Sequence, residues 1–326
     1  MSNSILKSIS SSVPTIEITN DQLSQLVETS DNWITTRTGI KKRYISNSNS
    51  SLVDLAVEAA KKTLDSSDLD PLELDLIILA TSSPDDLFGS ASQIQNKIGA
   101  YKAVAFDITA ACSGFIVSLV TAYQFIQTGT YKNILVIGAD VLSRWVNWLD
   151  RGTCILFGDA AGAMLFQSSA SNNLLGFKLK TDGQNYRHLN LPYVPKVKSL
   201  TSNINIVQGK FGFICMNGKE VYKFATTEVP QLILETLNSV NMTTEQVDWL
   251  VLHQANERIL KTISQKLNIP YNKVLSNLSN YGNTSAASLP LVLDEAIQQG
   301  KIKENDIIVL AGFGAGLTWG VAILKI

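Results

Sequence analysis

The sequence predicts an α/β protein built from two similar halves. Its expected strands are continuous apolar runs, which are typical of sheets that helices cover on both faces. The order of strand, helix and strand also occurs twice at matching spacing. Cys112 follows Thr81 by 31 positions, and Asn283 follows His253 by 30. This repeated spacing indicates a duplicated α/β unit.

In the first half, apolar segments predict four strands. An amphipathic helix is expected from Phe115, because apolar residues recur along one face, and Gly129 provides its C-terminal stop. The four predicted strands are 75–83, a buried strand that ends at 104–106, 133–140 and 157–166.

In the second half, strands are predicted within 248–256 and 305–316, and the latter runs into a glycine-rich turn. The polar stretch 185–208 contains prolines and many Ser and Asn residues, so we expect a surface excursion between the halves. We place the halves at 1–170 and 171–326.

The composition excludes several classes of protein. The chain carries 27 basic and 28 acidic residues, so no overall field favours nucleic acid. Its three cysteines are widely spaced and form no CxxC pair, so neither a disulfide framework nor a metal site is expected. No secretion signal and no membrane-spanning apolar run is present. We therefore expect a globular protein in a reducing compartment, without membrane or nucleic-acid partners.

Cys112 lies in AFDITAACSGF (105–115), at the predicted turn from a strand into a helix. The partial positive charge at a helix N-terminus favours the thiolate and lowers the cysteine pKa. Small neighbours leave room for a substrate carbonyl. The alternative is a buried structural cysteine. A nucleophilic role needs a base and donors for an oxyanion.

His253 and Asn283 also follow strands, and sites in open α/β sheets gather at the carboxyl ends of strands. The two residues would meet Cys112 if the halves pack pseudo-symmetrically. Such a triplet suits a papain-like hydrolase, or a thiolase-like synthase in which His and Asn both donate to a thioester oxygen. Alternatively, His253 is a hydrogen-bonded strand-end residue and Asn283 only shapes a turn.

The glycine-rich turn 311–320 favours the second chemistry, because backbone N–H groups can approach a ligand there. It lacks the Lys-Ser/Thr pair of a P-loop and the spacing of a dinucleotide site. Tight strand packing is the alternative explanation of these glycines.

Seven segments together resemble the β-ketoacyl-acyl carrier protein synthase III family, the initiating condensing enzymes of type II fatty acid synthesis. They span nearly the whole chain in the family's order. The resemblance implies a thiolase fold, a five-layered αβαβα sandwich of duplicated α/β halves, and a homodimer. The segments are DITAACSGF, HQANERI, NYGNTSAAS, GFGAGLTWG, TSDNWITTRTGIKKR, DRGTCILFGDAAGA and MNGKEVYKFA.

The resemblance implies that Cys112 takes an acetyl group from acetyl-CoA. His253 and Asn283 would bind malonyl-acyl carrier protein and stabilise the enolate that forms when CO₂ leaves. Attack on the acetyl thioester would give acetoacetyl-acyl carrier protein. The backbone N–H groups of Cys112 and Ala315 would hold the acyl oxyanion. CoA thioesters are substrates in this scheme, and no cofactor or metal is expected.

The resemblance also implies three binding regions. Trp33, Arg37 and Arg151 would hold CoA, since an aromatic face and guanidinium groups suit a nucleotide. Leu87 and Phe88 would line the primer pocket. The carrier-protein contact would be formed by Gln254, Ala255, Asn256, Glu257 and Arg258.

Two alternatives remain at this stage: a related condensing enzyme with longer or branched acyl-CoA primers, and a non-catalytic acyl-binding relative. Elongating condensing enzymes use two histidines, whereas this chain has Asn283 at the second position, which favours the initiating type. We expect the cytoplasm of a cyanobacterial-type cell or a plastid stroma, since the protein is not expected to be secreted.

Overall fold

Two five-stranded mixed sheets form the centre of the protein in a computed structural model that describes residues 3–48 and 50–326. The strands are β1 (Asn3–Ser12), β2 (Ile16–Thr19), β3 (Lys42–Ile45), β4 (Leu76–Ala80), β5 (Val104–Ile108), β6 (Asn133–Asp140), β7 (Ala160–Ser169), β8 (Leu174–Thr181), β9 (Leu189–Asn190), β10 (Tyr193–Ser199), β11 (Asn205–Phe211), β12 (Cys215–Met216), β13 (Trp249–Leu252), β14 (Val274–Leu275), β15 (Ile307–Gly314) and β16 (Thr318–Lys325). The helices are α1 (Asn20–Leu23), α2 (Asp31–Thr38), α3 (Leu52–Asp65), α4 (Ala91–Ile98), α5 (Gly114–Gln127), α6 (Arg151–Cys154), α7 (Gly218–Ser239), α8 (Glu257–Lys266), α9 (Leu278–Tyr281) and α10 (Ser288–Gln298).

The two sheets have the same topology. Their orders are β1-β7-β6-β4-β5 and β8-β16-β15-β13-β14. In the first sheet β4 pairs parallel with β5 and β6, and in the second β13 pairs parallel with β14 and β15; the remaining pairs of both are antiparallel. The predicted duplication is confirmed. The first sheet ends at Ser169 and the second begins at Leu174.

The helices and sheets form five layers, and three hydrophobic clusters fill the spaces between them. In the central layer α5 and α10 lie between the sheets, where Phe115 packs with Ile78 and Leu310. One outer layer joins α3 and α4 to the first sheet, and the other joins α7 and α8 to the second. Both faces of each sheet are therefore covered, which explains the continuous apolar strands.

Two expectations about local structure are wrong. Strand β5 is not buried but lies at an edge of its sheet, paired only with β4, and Val104 is 47% exposed. The polar excursion does not separate the halves: it follows β8 of the second sheet and forms β9 and the exposed hairpin β10–β11. Polar composition correctly indicated a surface segment, but it carries no information about the sheet to which the preceding strand belongs.

The two halves touch backbone to backbone at glycines. A Cβ on Gly138 of β6 would lie 2.3 Å from the carbonyl oxygen of Ala286. A Cβ on Gly314 of β15 would lie 2.8 Å from the amide nitrogen of Cys112. Only glycine allows this approach, and it places the turns of one half against the strand ends of the other.

Among the helices of the described residues, none is both long and apolar enough to cross a membrane. In the same part of the chain, no group of three or more His, Cys, Asp or Glu side chains is arranged to hold a metal ion.

Candidate active site

Cys112 lies in a 3₁₀ turn, Ala111–Ser113, between the edge strand β5 and the N-terminus of α5. The predicted strand-to-helix turn is confirmed, and α5 ends just before Gly129, whose φ is +74°. Ala111 has a φ of +47°, a left-handed conformation that turns the chain sharply before the nucleophile. The Cys112 side chain is buried at the base of a cavity.

The expected low pKa of Cys112 is wrong for the unliganded protein. Burial raises the pKa of the thiol to about 12, and the nearby Asp140 carboxylate adds to this. The partial charge of the α5 N-terminus does not offset the loss of solvation that a thiolate would suffer here. The neutral thiol is therefore the resting form, and it must lose its proton as it reacts.

His253 follows β13 and is buried. Its amide donates to the carbonyl of Ala311 on β15 at 2.8 Å, and its ring contacts the ring of Phe313 edge to face. Burial lowers the pKa of His253 to about 3, so the imidazole is neutral near pH 7.

The tautomer of His253 follows from its hydrogen bonds. Nδ1 lies 2.7 Å from the hydroxyl oxygen of Ser288. In the tautomer that pairs every group, the Ser288 oxygen accepts from the amide of Gln254 at 3.4 Å and the Ser288 hydroxyl donates to Nδ1. His253 then carries its proton on Nε2, and this nitrogen is a neutral hydrogen-bond donor.

Asn283 is held by its backbone and by its side-chain oxygen. Its amide donates to Leu156 at 2.9 Å, and its carbonyl accepts from Gly158 at 3.0 Å. Its side-chain oxygen accepts from the amide of Ser285 at 2.9 Å. This fixes the amide group so that its Nδ2 end is the one that can donate to a ligand.

The structure brings the three predicted residues to one end of the two sheets. The Cys112 turn packs against β15 and against the 3₁₀ turn Ser285–Ala287 that follows Asn283. The Ser285 hydroxyl lies 3.4 Å from the Cys112 sulfur. His253 approaches the same part of β15 through Ala311 and Phe313. The pseudo-symmetric packing thus produces the expected meeting of strand ends.

A cavity of about 1420 Å³ opens above Cys112, and both Ser285 and Ala315 line it. Leu87 and Phe88, the predicted primer-pocket residues, also line this cavity, and they are 78% and 99% exposed. Within one chain the apolar rim is therefore open to solvent.

Sequence reasoning missed the part of the cavity wall that the polar excursion supplies. The apolar residues scattered through that stretch are the signal that was available. They include Tyr186, Leu189 and Leu191, and Phe211 and Ile214 just beyond the stretch line the same cavity.

A second cluster forms an aromatic and cationic platform. The guanidinium carbons of Arg37 and Arg151 lie 4.3 and 4.6 Å from the centre of the Trp33 ring. Arg151 also donates to the carbonyl of Glu28 at 2.8 Å. Trp33 packs on the same hydrophobic cluster as Phe157, which lines the cavity. The platform and the cavity are thus neighbouring parts of one surface.

The predicted carrier-contact segment lies beside this platform, at the start of α8. Arg258 is exposed and donates to the carbonyl of Thr36 at 3.1 Å, while Asn256 donates to that of Arg37 at 3.1 Å. Ala255 is partly buried, and Glu257 forms an ion pair with the next turn of its helix.

Gln254 is a correction to that prediction. Its side chain is fully buried and bonds internally to the carbonyl of Leu252, to Ser276 and to the amide of Asn277. It cannot touch a partner protein, and it instead fixes the turn that precedes α8.

A buried cysteine between duplicated α/β halves, with neutral His and Asn donors nearby, is the arrangement expected of a thiolase-fold acyltransferase. The comparisons agree. The family model "3-Oxoacyl-[acyl-carrier-protein (ACP)] synthase III" matches residues 106–183, and the C-terminal model of the same synthase matches residues 237–326. The chain belongs to the β-ketoacyl-acyl carrier protein synthase III family, the initiating condensing enzymes of fatty acid synthesis.

Individual relatives match over almost the whole chain. The β-ketoacyl-[acyl-carrier-protein] synthase III of Nostoc sp. is 58% identical and covers 97% of this chain and 96% of its own. That of Porphyra purpurea is 56% identical over 98% of each chain. The crystal structure of the Aquifex aeolicus synthase III superposes with a TM-score of 0.92 at 41% identity, covering 99% of this chain and 100% of its own.

Burial of neutral His253 predicts a pH dependence of stability. Its pKa falls from an ordinary value of 6.5 to about 3 on folding. Below pH 6.5 the unfolded chain binds a proton that the folded chain refuses. The contribution of His253 is therefore complete above that pH and is lost as pH falls toward 3, by at most about 1.4 kcal/mol per pH unit.

The measurement is urea unfolding of the wild type and His253→Gln between about pH 7 and pH 4. The wild type should lose stability relative to the variant as pH falls. The buried carboxylates Asp140 and Asp159 titrate in both proteins and cancel in the difference. A difference that does not change with pH would contradict the neutral, buried histidine.

Proposed function

We propose that this chain condenses acetyl-CoA with malonyl-acyl carrier protein, giving acetoacetyl-acyl carrier protein, CoA and CO₂. The observation that carries the proposal is the packing of the buried Cys112 turn against β15, which His253 also contacts, and against the turn that follows Asn283. In the first step the Cys112 sulfur attacks the acetyl carbonyl, and CoA leaves as the thiol. The backbone N–H groups of Cys112 and Ala315 hold the oxyanion, since both residues line the cavity.

In the second step the thioester oxygen of the malonyl group accepts hydrogen bonds from Nε2 of His253 and Nδ2 of Asn283. Loss of CO₂ leaves an electron pair on the α-carbon, and the two donors stabilise the resulting enolate. The α-carbon attacks the acetyl carbonyl, and the Cys112 sulfur leaves as a thiolate, which then takes a proton from water. Each donor is worth roughly 3–4 kcal/mol, by comparison with oxyanion-hole mutants. A neutral imidazole suits this role because it donates without adding a buried charge.

We assign the Trp33, Arg37 and Arg151 platform to the CoA nucleotide. The two guanidinium groups over one indole ring offer a stacking surface and positive charge for phosphates. CoA thioesters are substrates in this scheme, and the reaction requires no cofactor or metal.

We assign carrier-protein binding to residues 255–258, centred on exposed Arg258. The segment lies beside the CoA platform, so a carrier docked here would present its pantetheine arm at the same entrance. The positive charge of Arg258 complements an acidic carrier helix.

We propose that the chain is a homodimer. Strand β5 has a free edge, and free edges pair readily with another strand. Val104, Leu87 and Phe88 form an exposed apolar set next to this edge. A second copy placed against β5 would cover them and exclude water from the cavity, which protects an acyl-enzyme from hydrolysis.

A longer or branched primer is the second candidate substrate. A cavity of about 1420 Å³ exceeds the needs of an acetyl group, although its mouth is open within one chain. A priming β-ketosynthase from the R1128 polyketide pathway has the same fold at 28% identity and a TM-score of 0.91. Comparing acetyl-CoA with longer acyl-CoAs in the acylation assay distinguishes the two.

We place the protein in the cytoplasm of a cyanobacterial-type cell or in a plastid stroma. Relatives above 50% identity come from cyanobacteria such as Nostoc and from Porphyra. Recovery of the protein from a secreted fraction would contradict this placement.

The first prediction concerns the acyl-enzyme. Purified protein incubated with acetyl-CoA, without added metal or cofactor, should gain about 42 Da on Cys112 by intact mass and peptide mapping. Cys112→Ser should not, because an alcohol is a poor nucleophile without a strong base. His253→Ala and Asn283→Ala should still be acetylated but should not decarboxylate malonyl-carrier protein. An unlabelled Cys112, or normal decarboxylation by both variants, would overturn the mechanism.

The second prediction concerns the carrier protein. Arg258→Glu should raise the KM for malonyl-carrier protein about tenfold or more, since it reverses a charge at the docking site, and should leave acetylation by acetyl-CoA unchanged. Lys303→Glu makes the same charge change just before the start of β15, whereas the Cys112 turn packs near the end of that strand. This variant serves as the control. Equal KM values for the two variants would refute the assigned surface.

The third prediction concerns assembly. Sedimentation equilibrium should give twice the chain mass of 35.5 kDa. Phe88→Asp should shift the equilibrium toward the monomer, because it puts a charge on the apolar surface that the partner covers. Leu26→Asp changes another exposed apolar residue and should not. A monomeric wild type would refute the dimer.

A further inference from the structure

Asp140 is a fully buried carboxylate beside the nucleophile, and the mechanism described so far does not use it. It ends β6. One oxygen accepts from the amide of Ser82 at 2.8 Å and from the hydroxyl of Ser83 at 2.8 Å. The other accepts from the amide of Ala286 at 3.3 Å. In the described residues no lysine, arginine or histidine forms an ion pair with it.

Ser285 connects this carboxylate to the nucleophile. Its hydroxyl lies 3.4 Å from the Cys112 sulfur, and its proximity lowers the pKa of the Asp140 carboxyl, which burial raises; the amide of the next residue, Ala286, donates to that carboxylate at 3.3 Å. The φ of Ser285 is +50°, a backbone conformation that non-glycine residues rarely adopt. A hydrogen bond from the Ser285 amide to the side-chain oxygen of Asn283 holds it in this conformation. The sulfur, the hydroxyl and the carboxylate therefore lie next to one another inside the protein.

We propose that Ser285 and Asp140 form a proton relay that activates Cys112, a step that rests on the acylation proposed above. As the sulfur attacks the acetyl carbonyl, the thiol proton passes to the Ser285 oxygen, and the Ser285 proton passes to Asp140. The S–H bond breaks and the sulfur–carbon bond forms. When the tetrahedral intermediate collapses, the carbon–sulfur bond to CoA breaks, and the proton returns through Ser285 to the CoA sulfur.

Charge balance explains why the proton moves inside the site. If Cys112 lost its proton to water, the cavity would hold a thiolate and a carboxylate together. Burial and the charge of Asp140 raise the pKa of Cys112 to about 12, which reflects this cost. A transfer from Cys112 to Asp140 keeps the number of buried negative charges at one. Burial also raises the pKa of Asp140, which makes it a better proton acceptor than an ordinary carboxylate.

The other charged groups near the cavity are less suited to this step. His253 already carries a proton on Nε2, and its Nδ1 is bonded to Ser288. Asp85 is paired with Arg144 at 2.7 Å, and both line the cavity. Asp107 on β5 caps the start of α4 through the amides of residues 90 and 91. Of the carboxylates named here, Asp140 is the one that lies next to a hydroxyl touching the sulfur.

The test is the rate of Cys112 acetylation by acetyl-CoA, followed by rapid quench and intact mass from about pH 6 to pH 10. The wild-type rate should change little over this range. Ser285→Ala should be slower by roughly 100-fold at pH 7, within the range of general-base effects. Its rate should rise about tenfold per pH unit, because the thiolate must then form by loss of a proton to solvent.

Two further variants complete the test. Asp140→Asn should reproduce the pH slope of Ser285→Ala; if it does not fold, Ser285→Ala carries the test alone. Ser113→Ala removes another buried hydroxyl on the Cys112 turn, one that bonds only to the carbonyl of Ala110, and should keep the wild-type profile.

The outcomes separate this proposal from the proposed function. A wild type that is never acetylated refutes the function. A wild type that is acetylated normally, with Ser285→Ala either unchanged or slowed by the same factor at every pH, refutes the relay and leaves the function standing. A loss confined to low pH supports the relay.

Discussion

The site depends on the contact between the backbones of the two halves. Gly138 meets the carbonyl of Ala286, and Gly314 meets the amide of Cys112, at distances that exclude any side chain. Dispersion and hydrophobic burial in the central layer press the halves together, but these glycines decide how near the strand ends come. A methyl group at either position would push apart the turns that carry the nucleophile and the donors. The positions of the groups in the candidate site therefore depend on two residues that have no side chain.

The duplication explains both the symmetry of the site and its asymmetry. Ile78 pairs with Val136 in the first sheet, and Val251 pairs with Leu310 in the second, all facing the central core. Two residues after Val136 in β6 is Gly138, and two residues after Leu310 in β15 is Gly312.

The residues two positions further along these strands differ between the halves, and this difference affects the candidate site. The first half has Asp140, whereas the second has Gly314, which leaves space for the Cys112 amide. The turns that face these positions carry left-handed residues in both halves, Ala111 and Ser285. One turn carries the Cys112 thiol, and the other carries the Ser285 hydroxyl that touches its sulfur. The two halves thus differ at a few inward positions, and these differences make the candidate site asymmetric.

Much of this protein could be predicted from sequence because the relevant signals are local. Continuous apolar runs predicted covered strands, and equal spacing predicted the repeat. Residue type at strand ends singled out Cys112, His253 and Asn283, since polar groups rarely follow buried strands without a purpose. The tertiary structure decided what depends on neighbours distant in sequence. It buried Gln254 within a predicted surface segment, exposed β5 at a sheet edge, and kept Cys112 protonated where a helix N-terminus alone favoured a thiolate. It also brought the Ser285 hydroxyl to 3.4 Å from the Cys112 sulfur, across 173 positions of the chain. Sequence by itself determined which chemical groups stand at the strand ends; solvation and hydrogen bonding, which exist only after the halves pack, determined their charge and their partners.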